Sequence, residues 1–227
     1  MILVVKLNYF INLVSSIAVI IPIVIGIITA KKHKITTLHL IFFYCLIYSV
    51  FEIIAWYYFT HHLQNHFLFN LMSYFDILVW GLFYYLLLDK LITKRIVIFL
   101  VAITLMLTLW SHFGTGRDFN RMDSFALSVG SISLMAMSLL FFYQLLSNLD
   151  IKNIFIYPFF WINVGVLIYF SGSFFSFIFA EYITFSPDKN ITQYIGISAI
   201  LLFFHRIFLA IGLWFSTTPI QSDLSSK

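Results

Sequence analysis

Charged residues and cysteine are both scarce in this chain of 227 residues. Asp, Glu, Lys and Arg make up only 10% of the sequence, whereas hydrophobic residues make up 62%. A soluble domain of this length cannot bury so much apolar surface, so most of the chain must be solvated by lipid. Cys45 is the single cysteine, which excludes a disulfide within the chain and a metal site built from cysteines.

Motifs of known catalysis are also missing from the sequence. There is no HExxH, GxSxG, P-loop or dinucleotide-binding glycine pattern. The last apolar run contains His205 and Arg206 but no lysine, so it cannot hold retinal through a Schiff base. We therefore predict no cofactor and assign no catalytic residue.

Seven long apolar runs are present, each close to the roughly 20 residues that a membrane-spanning helix needs. Their length and uniform hydrophobicity favour helices over the strands of a barrel. We predict an all-α integral membrane protein, a bundle of seven transmembrane helices in one domain (1–216), followed by a short cytoplasmic tail (217–227). The predicted spans are 8–30, 38–60, 67–88, 96–113, 124–146, 157–180 and 194–216.

The Lys and Arg residues between the runs predict the orientation of the bundle, because cytoplasmic loops carry the excess. This places the N-terminus outside and the C-terminus inside the cytoplasmic (inner) membrane, and it explains the pI near 9.1 without a nucleic-acid partner. The basic cluster after the first run also favours an uncleaved helix over a signal peptide. The cytoplasmic group is Lys31, Lys32, Lys34, Lys90, Lys94, Arg95, Lys152 and Lys227, and the outer group is Lys6, Arg117, Arg121 and Lys189.

Ionisable side chains near the centres of the spans are the main functional candidates. At about 1.5 Å per residue, all of them lie within about 5 Å of the bilayer midplane. A charge at that depth costs at least ~2.5–3.5 kcal/mol unless it is paired. We predict a midplane polar layer in which Arg206 pairs with one of two acids. The members of this layer are Glu52, Asp76, His205 and Arg206.

The layer has two interpretations. Intramembrane charges usually serve a function, but buried ion pairs can also simply fix helix packing and register. Adjacent helical residues point about 100° apart, so His205 and Arg206 must face different neighbours. Asn163 in the sixth run could extend the layer towards the cytoplasm or bond across helices.

Aromatic side chains accompany both acids and could line a pocket. Trp56 follows Glu52 by four residues and Trp80 follows Asp76 by four, so each indole shares a helix face with an acid. Trp80 is the better candidate, because Trp56 lies near a span end, where aromatic belts form. Nearby tyrosines could donate hydrogen bonds to the carboxylates: Tyr48, Tyr74, Tyr84 and Tyr169.

Histidines are concentrated in the connection between the second and third runs. His61, His62 and His66 lie close together there, and His112 falls on the same side. A solvated loop is the main interpretation, and a zinc, copper or pH-sensing site is the alternative. We predict no metal site.

Two aromatic-rich segments carry a resemblance to a known family. They are "IYSVFEIIAWYY", which holds Glu52, and "FNLMSYFDILVWGLFYYLLL", which holds Tyr74, Trp80 and Tyr84. Together they resemble the seven-helix sensory region found N-terminal to some bacterial histidine kinases. The resemblance implies a sensory role that acts through a separate partner, and it implies no catalytic residues.

We therefore expect a receptor-like or signalling-accessory membrane protein that senses a small or lipophilic ligand, or a membrane state, and acts through a separate partner such as a kinase. One alternative is an intramembrane lipid hydrolase or small proton-coupled transporter that uses Glu52, Asp76 and His205. Another is a structural subunit of a membrane complex. A water-filled cavity that reaches both carboxylates would favour the enzyme or transporter, and a dry, paired layer would favour sensing or packing.

Overall fold

The computed structural model describes residues 2–29, 36–116, 118–147, 153–185 and 192–217. These residues are mostly helical, and no strand occurs among them. Seven of the helical segments are long and apolar enough to cross a membrane, which is the number of spans that the sequence predicts. The α-helices are α1 (Ile2–Ile17), α2 (Ile20–Thr29), α3 (Thr36–Thr60), α4 (His66–Leu87), α5 (Leu91–Leu109), α6 (Ser124–Ser147), α7 (Pro158–Ile178), α8 (Ala180–Phe185) and α9 (Thr192–Phe215).

The first predicted span corresponds to Leu7–Thr29 in the structure, and a break divides it into two helices. A turn at Ala18 and Val19 separates α1 from α2. Pro22 explains the break, because it has no N–H to donate to the Ala18 carbonyl four residues earlier. The N–H of Val19 donates to the Ser16 carbonyl at 3.4 Å, one residue later than an α-helix requires. The carbonyl of Ser15 is therefore open to another donor.

Two other boundaries differ from the predicted ones. The fourth span begins at Leu91, before the predicted start at residue 96. The helix thus includes two basic residues: Lys94, which is half-buried, and Arg95, which is exposed. It ends in a π-helical turn, Trp110–Gly114. The sixth span ends at Ile178, and the short helix α8 follows it after a turn. A hydropathy run shows how far apolar residues continue, but it does not show where the backbone hydrogen bonds change.

The packed core lies in the half of the bundle that is remote from the connection between α3 and α4. Its largest fully buried side chains come from the later turns of α4 and from α6, and they pack with the first turns of α3 and the last turns of α9. The core includes Trp80, Phe83, Tyr84, Met137 and Leu213.

Glycines allow α9 to lie close against α7. A Cβ atom at Gly165 would be 2.9 Å from the Phe208 Cβ, and one at Gly212 would be 2.9 Å from the Pro158 carbonyl oxygen. Small residues permit this separation between helix backbones, as they do in membrane bundles. α9 also packs along α1 and α2, whereas α3 and α9 approach each other at few positions.

Most residues behind the predicted orientation lie outside the described part of the chain. They are Lys31, Lys32, Lys34, Arg117, Lys152, Lys189 and Lys227. Residues 218–227 of the predicted tail also lie outside it. The orientation of the bundle and the nature of the tail stay predictions.

Candidate functional site

Arg206 on α9 is buried and reaches two other helices. Its Nη2 donates to Oε1 of Glu52 on α3, and its Nη1 donates to the backbone carbonyl of Ser15 on α1. The guanidinium carbon also lies 5.7 Å from the centroid of the Tyr48 ring. These contacts stabilise a charge that a guanidinium cannot lose by deprotonation. Arg206 thus ties α1, α3 and α9 together at one level of the bundle.

The acceptor on α1 depends on the break in the first span. In an unbroken helix the Ser15 carbonyl would accept from the N–H of Val19. Pro22 unwinds the chain at this point, and the carbonyl accepts from Arg206 instead. The contact therefore depends on the backbone of Ser15 and on the position of a proline, rather than on the side chain at residue 15.

Asp76 on α4 is only 8% exposed and takes no part in the Arg206 pair. The Tyr44 hydroxyl donates to its Oδ1 at 3.0 Å, the one hydrogen bond that the described residues offer it. No Lys, Arg or His nitrogen in the described part of the chain lies within 4.0 Å of this carboxylate. The two acids therefore differ: Glu52 has a cationic partner and Asp76 has a neutral one.

His205 lies in an aromatic environment rather than beside either acid. Its ring centroid is 5.3 Å from that of Tyr169, in a stacked arrangement, and 5.7 Å from that of Trp80. Neither ring nitrogen has a hydrogen-bond partner among the described residues. A Cβ atom at Gly165 would be 3.2 Å from its Nδ1, so the glycine leaves room for the imidazole. His205 packs here as an aromatic ring.

The remaining candidates from the sequence are distributed over several environments. Trp80 is fully buried in the core, where its ring centroid lies 5.2 Å from that of Tyr44. Trp56 is 58% exposed on the outside of the bundle. Asn163 bonds across helices, since its Oδ1 accepts from the Tyr84 hydroxyl at 2.6 Å and its Nδ2 donates to the Ser138 carbonyl at 3.2 Å.

The histidines near the α3–α4 connection do not come together as a metal site. His61 and His62 are exposed and His66 is half-buried. His112 is buried, its Nδ1 lies 2.9 Å from the Tyr74 hydroxyl and its Nε2 lies 3.7 Å from Asp123. Within the described ranges, no three His, Cys, Asp or Glu residues form a group that could hold a metal ion.

A cavity of about 520 Å³ occupies the half of the bundle opposite the packed core. Both Glu52 and Asp76 line it, together with Tyr48 and Tyr169. Its other walls are mainly apolar and include Phe51, Phe69, Met72, Leu134, Phe170 and Phe177. The volume falls within the roughly 300–1,000 Å³ that is typical of small-molecule pockets. The lining does not include Trp56, Tyr74, Trp80, Asn163, His205 or Arg206.

Two groups of the site were not predicted from the sequence. Tyr44 is the hydrogen-bond donor to Asp76, and its spacing of four residues from Tyr48 and eight from Glu52 places all three on one face of α3. That periodicity could have identified Tyr44. The Ser15 carbonyl had only an indirect signal, because a proline seven residues later does not specify which donor replaces the lost helical one.

No protein-family model, curated protein or solved structure matched the chain in comparisons with known proteins. The function must therefore be argued from the site itself. The arrangement combines a cavity of ligand size with two acids at its wall. Glu52 pairs with Arg206, and Asp76 has no cationic partner in the described part of the chain.

Proposed function

We propose that the chain is a multi-pass membrane protein of the receptor type, which binds a small or lipophilic ligand in the cavity and acts through a separate partner such as a kinase. The observation that carries the proposal is the cavity of about 520 Å³ whose wall includes Glu52, the partner of Arg206. In the proposed orientation, the cavity lies in the outer half of the cytoplasmic membrane and the packed core faces the cytoplasm.

The ion pair couples the cavity to the relative position of α3 and α9, because Glu52 both lines the cavity and binds Arg206. α3 and α9 meet at few positions, and the pair between Glu52 and Arg206 bridges them. A ligand that packs against Glu52 alters this bridge and therefore the position of α3 relative to α9. Helix shifts of about 1–2 Å at interfaces are a known means of switching. The inner ends of the two helices then present a different surface to the partner.

Spin labels on α3 and α9 test this coupling in the full chain held in lipid nanodiscs. Phe43→Cys and Trp214→Cys suit the labels because both side chains are exposed and lie towards the predicted inner ends. Cys45, which is free and buried, is replaced by alanine. We expect the neutral lipophilic probe N-phenylnaphthylamine to change the label separation by about 1–2 Å.

Gly130→Leu is the control for that experiment. Gly130 lines the cavity, and a Cβ atom there would be 3.6 Å from Ile77, so the larger side chain extends into the empty space. The variant should abolish the change in separation. A separation that stays constant at saturating probe, or that changes equally in Gly130→Leu, would contradict the proposal.

A second candidate function is favoured by the fact that both carboxylates reach the same cavity. An intramembrane lipid hydrolase or a proton-coupled transporter would use Glu52 and Asp76 as acid, base or proton relay. His205, the third residue of that hypothesis, does not line the cavity, and Glu52 is occupied by Arg206. Release of product from a lysoplasmalogen by the purified protein, lost in Asp76→Asn, would establish the enzyme in place of the receptor.

A further inference from the structure

The two carboxylates at the cavity wall, those of Glu52 and Asp76, have different partners among the described residues. Glu52 and Arg206 form a neutral pair. Asp76 accepts a hydrogen bond from the uncharged hydroxyl of Tyr44, and the described residues place no cation within 4.0 Å of it. Among the described residues, the carboxylate of Asp76 therefore lines the cavity without a cationic partner. A charge buried in such surroundings is stable only when it is paired or protonated.

A second polar group at the wall also lacks a partner. Ser15 is 98% buried and lines the cavity, and its hydroxyl has no hydrogen-bond partner among the described residues. Its backbone carbonyl is already occupied by Arg206. A buried hydroxyl without a partner is unfavourable, and a polar ligand group that bonds to it removes the penalty. This observation is independent of the charge at Asp76.

The other residues that line the cavity indicate the chemistry of the rest of the ligand. Aromatic side chains surround the level of the acids, and the faces of such rings attract organic cations. An inorganic cation would need several oxygen or nitrogen ligands in place of its water shell. No group of three suitable side chains occurs in the described ranges. The apolar wall beyond the acids is suited to a hydrocarbon tail instead.

We infer that the ligand is an amphipathic organic cation, with an ammonium head that pairs with Asp76 and an apolar tail that fills the cavity. The inference rests on the proposed binding of a ligand in this cavity. Beyond that proposal, it specifies that the ligand is positively charged and that Asp76 is the residue that selects this charge. Glu52 and Ser15 complete the polar end of the site.

A matched set of three probes tests the charge of the ligand. Phenylbutylamine, phenylbutanol and phenylbutyrate share one tail and carry an ammonium, a hydroxyl and a carboxylate head. Each is titrated against the full chain in nanodiscs of zwitterionic phosphatidylcholine, and the rise in unfolding temperature reports binding. We expect the amine to bind about tenfold or more tightly than the alcohol, because the ammonium forms an ion pair with the carboxylate, whereas the hydroxyl only donates a hydrogen bond to it.

Substitutions at two acids assign that preference to a residue. Asp76→Asn should reduce the affinity for the amine about tenfold and change the affinity for the alcohol much less, because a hydroxyl can bond to the amide as well as to the carboxylate. Asp76→Glu keeps the charge and should keep the preference. Binding of the alcohol by Asp76→Asn shows that the loss of affinity for the amine is not a failure to fold. Asp118→Asn is the matched control, because it removes the same charge from an exposed loop.

The outcomes separate this inference from the proposed function. Equal affinity for the amine and the alcohol, both lost in Gly130→Leu, overturns the cationic ligand but preserves binding in the cavity. A preference for the amine that survives Asp76→Asn also overturns the inference. If none of the probes binds, or if Gly130→Leu leaves all three affinities unchanged, both proposals fail.

Discussion

Arg206, Glu52 and Asp76 show how three ionisable groups within one bundle obtain different environments. The charge of Arg206 is stabilised by a carboxylate, a carbonyl and an aromatic ring around it. Asp76 has one neutral donor and an empty space beside it. Removing one member of a buried pair leaves the other uncompensated, so the two acids should contribute very differently to stability.

We expect Glu52→Gln to lower the free energy of unfolding by on the order of 3 kcal/mol, because Arg206 then remains buried and charged without its partner. Asp76→Asn should leave the stability unchanged or slightly raised, since the amide oxygen still accepts the Tyr44 hydroxyl. Denaturant titration of both variants in mixed micelles measures the difference between their free energies of unfolding. Equal losses in the two variants would show that Asp76 is also part of the charge balance.

At the scale of the helices, glycine and proline decide how closely and in which conformation the elements meet. Pro22 breaks the first span and exposes the Ser15 carbonyl to Arg206. Gly165 lets α7 lie against α9 at the level of His205. The site therefore depends on two positions whose side chains contribute no polar group at all. Substitution of either residue should change stability through packing. The effect is easiest to test at glycine, because Gly165 and Gly130 can be replaced by the same residue and compared.

Gly165→Ala should destabilise the bundle, whereas Gly130→Ala should be neutral or stabilising. Each change favours a helix by about 0.8–1.0 kcal/mol. At Gly165 the added methyl would be 2.9 Å from Phe208, but at Gly130 its nearest neighbour is a flexible Ile77 side chain at 3.6 Å. The two unfolding temperatures, measured in the same detergent, give the comparison. A gain in stability at both positions would mean that α7 and α9 are not held as closely as described.

The whole molecule is divided into a tightly packed half and a half that contains the cavity. Met137 on α6 is fully buried in the core, while Met72 on α4 lines the cavity. Shortening a buried side chain destabilises in proportion to the contacts it loses and the space it leaves. A side chain that already borders an empty space has fewer contacts to lose.

Met137→Ala should therefore reduce the free energy of unfolding by about 2–5 kcal/mol. Met72→Ala should cost clearly less than the same change at Met137, although both remove an identical group of atoms. Parallel denaturant titrations of the two variants provide the measurement. Similar losses would indicate that the cavity closes around Met72 in solution, and that the two halves are equally well packed.

The number of helices long and apolar enough to span a membrane was predictable from the sequence, because the length of an apolar run is a property of consecutive residues. The sequence also predicted a similar depth for Glu52, Asp76, His205 and Arg206, since depth was counted along each apolar run. It did not locate the break between α1 and α2, although Pro22 was visible, because a proline can kink a helix or be tolerated within it.

Which of these residues meet depends on the tertiary structure. Arg206 pairs with Glu52, Asp76 bonds to Tyr44, and His205 stacks on Tyr169. These choices depend on the rotation of each helix about its axis and on which helices are neighbours, and both follow from packing over the whole bundle. The cavity likewise arises from several helices that fail to fill the space between them, which is a property that no single helix possesses.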